Sequence, residues 1–163
     1  MLLRPMIQSD AVTVAALSAD LGYPTTPADV VRRLERLRDW PDTGLFVAED
    51  AQVIVGWVHV YGVRLLETEG YAEIGGIVVT PTRRQQGIGT QLIQACEHWA
   101  AQVGYPEVRL RSGVHRTWAH AFYVRLGYEQ SRASYGFRRV IAASQRIDAA
   151  DHPSGAMVRE PAA

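Results

Sequence analysis

Apolar residues recur along the chain with two periods, about 3.6 and about 2, and the switches between them mark its elements. Leu2 to Ile7 reads as a short first strand. Ser9 or Asp10 caps a helix through about Leu21, with Val12, Ala15, Ala16 and Leu17 as its buried face and Gly22 as its stop. Thr26 caps a second helix beginning at Pro27, with Val30, Val31, Leu34 and Leu37 on one side. Leu45 to Glu49 and Val53 to Val63 form a hairpin around the tight turn Asp50-Ala51-Gln52, and its alternation sets Trp57, His59 and Tyr61 on one face. Tyr71 to Val79 is apolar and ends in β-branched residues, so it reads as a buried strand that Thr80 and Pro81 stop. From Ile88 onward, Ile88, Leu92, Ile93, Ala95, Cys96, Trp99 and Ala100 return at helical spacing. Glu107 to Arg111 is a strand, and Arg116 to Leu126 is a helix closed by a left-handed Gly127. Tyr128 to Ser131 and Tyr135 to Val140 complete the series as a closing hairpin. This order predicts a mixed α/β sheet with helices on both faces.

Composition narrows the partners. The chain has 163 residues, 47% of them hydrophobic, which suits one domain with a proper core. Its 17 basic and 17 acidic residues cancel, which argues against a nucleic acid or an acidic membrane as a partner gripped by bulk charge. The basic run Arg32 to Arg38 reads as a solvated helix face. A single Cys96 excludes an intrachain disulfide and a cysteine metal cluster, so no metal is expected. Without a signal-like leader or a long apolar span, a cytoplasmic protein is expected. From Ala142 the composition turns to Ala, Ser, Asp, Pro and Gly. Residues 1–141 therefore read as one domain, and 142–163 as a tail that is flexible or packs on a partner.

The junction after Val79 carries the chemistry. Thr80-Pro81 leads into Arg83, Arg84, Gln85, Gln86, Gly87, Ile88, Gly89 and Thr90, and a helix follows. A helix start has unpaired N–H groups and a positive dipole end, and glycines let an anion reach the backbone. Two arginines add charge. A nucleoside-triphosphate loop needs Gly-Lys-Ser/Thr, but Thr90 follows Gly89; a dinucleotide fingerprint needs a small residue where Leu92 stands. What remains, Arg84-x-x-Gly87-x-Gly89 after Val-Thr-Pro, resembles the acetyl-CoA loop of the GCN5-related N-acetyltransferase (GNAT) superfamily. A second stretch, Arg116-x-x-Ala119-x-x-Phe122-Tyr123 with Leu126-Gly127-Tyr128, resembles that family's later element, which often begins with Asn in place of Arg116. The resemblance spans roughly residues 1–140.

The resemblance implies a GNAT fold, with a mixed, mostly antiparallel twisted sheet of about seven strands. It implies acetyl-CoA as cofactor, its pantetheine arm laid along Ile77-Val78-Val79 and its pyrophosphate on the loop from Arg84 to Thr90. Arg116, Ala119, Phe122 and Tyr123 would complete that cofactor site. It also implies direct transfer of acetyl to a primary amine of a small molecule or peptide. Glu73 would be the general base, because Tyr71-Ala72-Glu73-Ile74 is similar to the family segment that carries one; Tyr123 would be the general acid. His59 is a second candidate base, and Glu67 and Glu69 are candidate acceptor carboxylates, Glu69 also a candidate base. Cys96 faces the core of its helix, so no acetyl-cysteine route is expected. Many members of the family dimerise, and no interface is legible in this sequence. A non-catalytic CoA-binding regulatory module is the alternative reading, and an interaction domain is a third.

Overall fold

The computed structural model describes residues 1–141 and divides into two units, Met1–Gln130 and Ser131–Ala163. In the first unit, β1 (Leu2–Pro5), α1 (Ala11–Asp20), α2 (Pro27–Arg38), β2 (Thr43–Asp50), β3 (Val53–Val63) and β4 (Tyr71–Val79) are followed by α3 (Ile88–Val103), β5 (Val108–Leu110) and α4 (Thr117–Arg125). The strands form one sheet in the order β1-β2-β3-β4-β5. Neighbours from β1 to β4 are antiparallel, and β4 runs parallel to β5.

Local chemistry explains most boundaries. Thr26 accepts from the Asp29 N–H, and Pro27 sits at the first helical position, so α2 begins where its sequence signature falls. The β2–β3 hairpin turns on Ala51 and Gln52, both at positive φ (48° and 64°), as a two-residue turn of right-handed strand twist requires. Gly127 ends α4 at φ 93°. Before α1, a short 3₁₀ turn at Gln8–Asp10 delays the helix, because the buried Asp10 carboxylate accepts from the Ile7 N–H and from Arg4.

Two apolar layers hold the sheet. α3 packs on one face, where Leu92, Ile93 and Cys96 meet Val58, Val60, Ala72 and Ile74. α1 and α2 cover the other face through Ala11, Val14, Leu17 and Val30 against Val47, Ile54 and Val78. The α1 face differs from expectation. Val12 is 69% exposed and Ala16 is exposed, while Ala11, Val14, Ala15, Leu17 and Ser18 are buried. A helix this rich in alanine is apolar all round, so periodicity fixes its orientation poorly, and the Ser18 hydroxyl is accommodated by donating to the Val14 carbonyl.

The sheet has five strands rather than about seven. In the second unit, residues 131–141 carry no strand, and Tyr135 and Phe137 are 92% and 96% exposed. The expected closing hairpin is absent among the described residues. Two short runs, Tyr128 to Ser131 and Tyr135 to Val140, carry aromatic and β-branched residues, but without a partner ladder that propensity does not produce a strand. Tyr128 is held instead by the core, with its hydroxyl donating to Glu97 at 3.0 Å. The expected tail, residues 142–163, lies outside the described residues. Among the described residues, no helix is long and apolar enough to cross a membrane.

Candidate active site

β4 is the organising strand, and its two sides differ. It pairs with β3 from Tyr71 to Val79 but with β5 only from Ala72 to Ile74. Beyond Ile74 the parallel neighbour is gone. The register also breaks there, because His59 pairs with Gly76 and Val60 with Ile74, which leaves Gly75 as an unmatched bulge residue. The glycines make this possible. A Cβ on Gly75 would lie 2.8 Å from the Tyr61 ring, and one on Gly76 3.0 Å from the Trp57 ring. Past the bulge, the Thr80 N–H donates to the Val55 carbonyl on β3. Strand alternation then turns the main-chain groups of Val78 toward β3 and those of Ile77 and Val79 outward. The Val79 carbonyl accepts from Arg84 Nε at 3.2 Å. An open sheet edge therefore runs through Ile77 and Val79, while the Val78 side chain is buried on the α1 side.

That edge leads into an uncapped helix start. After a 3₁₀ turn at Pro81–Arg83, Arg84 is extended, Gln85 has φ 62° and Gly87 has φ 79°. No side chain caps α3, and the first helical bond is from the Gln91 N–H to the Gly87 carbonyl. The N–H groups of Ile88, Gly89 and Thr90 thus lack helical partners. The two glycines have different reasons to be there. Gly87 meets open space, and its positive φ is the constraint; a Cβ on Gly89 would lie 3.2 Å from Phe122 Cζ. The phenylalanine of the second motif sits on a glycine of the first, so α4 is seated on the start of α3.

The neighbouring arginines are separated in role. Arg83 pairs with Asp50 and donates to Gln86 at 2.9 Å, which ties the loop to the β2–β3 turn. Arg84 makes no ion pair among the described residues; its guanidinium lies 6.0 Å from the centre of the Trp118 ring, and that of Arg116 lies 5.0 Å from it. Gln85 and Gln86 are exposed, Ile88 is core, Thr90 is half-buried, and Ala119 is buried.

On the α1 side of the sheet, Glu73 pairs across the strands with Tyr61. Its side chain is 12% exposed, and its Oε1 lies 3.3 Å from Arg111 Nε. Burial first, and the Glu73 carboxylate second, push the Tyr61 hydroxyl above the ordinary tyrosine range. The His59 ring is tilted against that of Tyr61 with ring centres 5.3 Å apart, and its Nε2 lies 3.0 Å from the Thr43 hydroxyl. Burial lowers the His59 pKa and keeps the ring neutral at pH 7. Tyr123 lies between Phe122 and Tyr128, and burial raises its pKa, so it stays protonated across the physiological range. Burial also pushes the Cys96 thiol up to about 12. Glu67 and Glu69 stand exposed on the loop before β4.

The bulge at Gly75, the outward turn of Ile77 and Val79, and the parts of Arg111 and Trp118 were not legible in the sequence. A Gly-Gly pair inside an apolar strand was the available signal for the first.

The fold and both motifs agree with what comparison finds. Residues 14–128 match the model of the acetyltransferase (GNAT) family, and the chain belongs to that family. It is 35% identical over 102 residues to an uncharacterized N-acetyltransferase of Methanocaldococcus jannaschii, covering 61% of this chain and 45% of that protein. It is 44% identical over 59 residues to the aminoalkylphosphonate N-acetyltransferase of Salmonella typhimurium, covering 36% of this chain and 38% of that one. The matches thus span less than half of either relative. Its fold is that of AAC(6')-Iy, solved with the bisubstrate analogue CoA-S-monomethyl-acetylneamine, with a TM-score of 0.75 at 20% identity over 85% of this chain and 97% of the other.

Proposed function

We propose that the protein is an acetyl-CoA-dependent N-acetyltransferase that moves acetyl directly onto a primary amine of a small molecule or peptide, with residues 1–141 as the working domain. The observation that carries this reading is the one-sided half of β4 running into the uncapped start of α3. An extended amide chain can add to such an edge as a strand does, and a diphosphate suits the helix start. Ile77 and Val79 would bond the pantetheine amides. Arg84 through Thr90 would hold the diphosphate, with Arg116 and Phe122 behind them. Family membership and the two relatives' names support an acyl-transfer role.

When bound, acetyl-CoA supplies an activated acyl carbon in a thioester. Glu73 takes a proton from the acceptor ammonium, directly or through one water, because only the free amine can attack. A main-chain N–H on the open edge donates to the carbonyl oxygen as charge builds there. As the C–N bond forms and the C–S bond breaks, Tyr123 gives its proton to the departing sulfur. The nitrogen loses two protons in all: one reaches solvent through Glu73, and the other replaces the proton of Tyr123. The buried, protonated Cys96 thiol is a poor nucleophile, so no acyl-cysteine is expected.

A panel of amines assayed for thiol release from acetyl-CoA tests the proposal. Release that depends on both amine and protein is expected. CoA binding without release for any amine would favour a regulatory CoA-binding module instead.

A further inference from the structure

The acceptor side of β4 holds a pair of opposite charges, not a lone carboxylate. Arg111 follows directly after the last residue of β5, where β4 and β5 part. Its side chain is 80% exposed and touches Glu73 through Nε, and its terminal nitrogens make no hydrogen bond among the described residues. Nearby arginines are already engaged: Arg109 with Glu107 and the Tyr71 ring, and Arg64 with Asp42. Arg84 and Arg116 stand beside Trp118 at the α3 start. Arg111 is thus the guanidinium beside Glu73 with donors to spare, and a planar fork of that kind matches a carboxylate or phosphonate in two-point contact.

We propose that the acceptor is a zwitterion: a primary amine whose short carbon chain also carries a carboxylate or phosphonate, with Glu73 receiving the ammonium and Arg111 the anion. This rests on the acetyltransferase reading. The 3.3 Å between carboxylate and guanidinium sets the two charges a few bonds apart in the ligand. A polycation drawn to Glu73 would meet the like charge of Arg111 at the same spot.

Matched probes test it: β-alanine and 2-aminoethylphosphonate against ethylamine, each assayed for thiol release and, by calorimetry, for binding to the CoA-loaded protein. The zwitterions should be preferred over ethylamine by about tenfold or more, a preference within the range for one charge-assisted contact. Arg111→Ala should abolish that preference, chiefly through KM, and should remove the calorimetric binding of the zwitterions. Arg111→Lys should keep part of it, and Arg111→Glu should reverse it. The carboxylate and phosphonate arms tell which anion fits. A preference for ethylamine, an unchanged ratio in Arg111→Ala, or no zwitterion binding at all would overturn the zwitterion. Failure of every amine to release thiol, with zwitterion binding still dependent on Arg111, would instead overturn the enzyme reading alone.

Discussion

The two halves of β4 belong to one strand and stand in opposite situations. From Ala72 to Ile74 the strand is paired on both sides and contributes Ala72 and Ile74 to the core. From Gly76 to Val79, past the bulge at Gly75, it is paired on one side only, and Ile77 and Val79 turn main-chain groups to an open edge. Glu73 lies in the closed half, two residues before the bulge. The closed half fixes a carboxylate on a rigid strand, and the open half leaves room for a ligand to complete the sheet. A site built this way needs no pocket carved from side chains, because it is a sheet with one segment missing.

The largest expected effect removes the chemistry of the closed half. Glu73→Gln should lower the rate by about 10²–10⁴-fold while CoA binding persists, as measured by thiol release and calorimetry. A retained rate would move the base elsewhere, first to His59. Arg84 and Arg83 sharpen the contrast at the far end of the open half. Arg84→Ala should raise the KM for acetyl-CoA by roughly tenfold, the weight of one charge-assisted contact. Arg83→Ala should leave that KM close to unchanged and lower the melting temperature, since Arg83 holds Asp50 and Gln86. Tyr123→Phe should cost less than Glu73→Gln, because a thiolate with a pKa of about 8.5 leaves fairly well unaided. Equal rates for this variant and the unaltered protein across pH would remove the acid role.

The smallest effect concerns stability against pH. His59 has a lowered folded-state pKa, so the unfolded chain binds its proton more readily. Stability from this group is present above about pH 6.5 and falls as pH drops through the lowered value. Asp10 acts in the same direction at lower pH. Burial alone would raise its pKa, but hydrogen bonds from Arg4 and the Ile7 N–H outweigh burial and hold it low. Thermal melts from pH 4 to pH 8 should rise with pH, and His59→Gln should flatten the upper part of that slope.

Much of this was legible in residue order. The bounds of β4, the Thr26 cap, the left-handed Gly127 and the core position of Cys96 follow from apolar period and turn chemistry, which act over a few neighbours. The site's residue types were legible through two motifs, but their arrangement was not. Where β5 stops pairing with β4 depends on residues more than thirty positions away, and no local pattern encodes it. Arg111 looked like the end of a strand and gained meaning only when the sheet set it beside Glu73. The closing hairpin failed for the same reason in reverse, since propensity at Tyr135 to Val140 does not supply a partner.

Amide hydrogen exchange of the full chain, followed residue by residue with and without CoA, reads whether the coenzyme completes the open edge of β4. Saturating CoA is expected to slow exchange at Ile77 and Val79 and at the first amides of α3, while Val78, already paired to β3, changes little. Saturable CoA binding that leaves Ile77 and Val79 unprotected, or no binding at all, would contradict it.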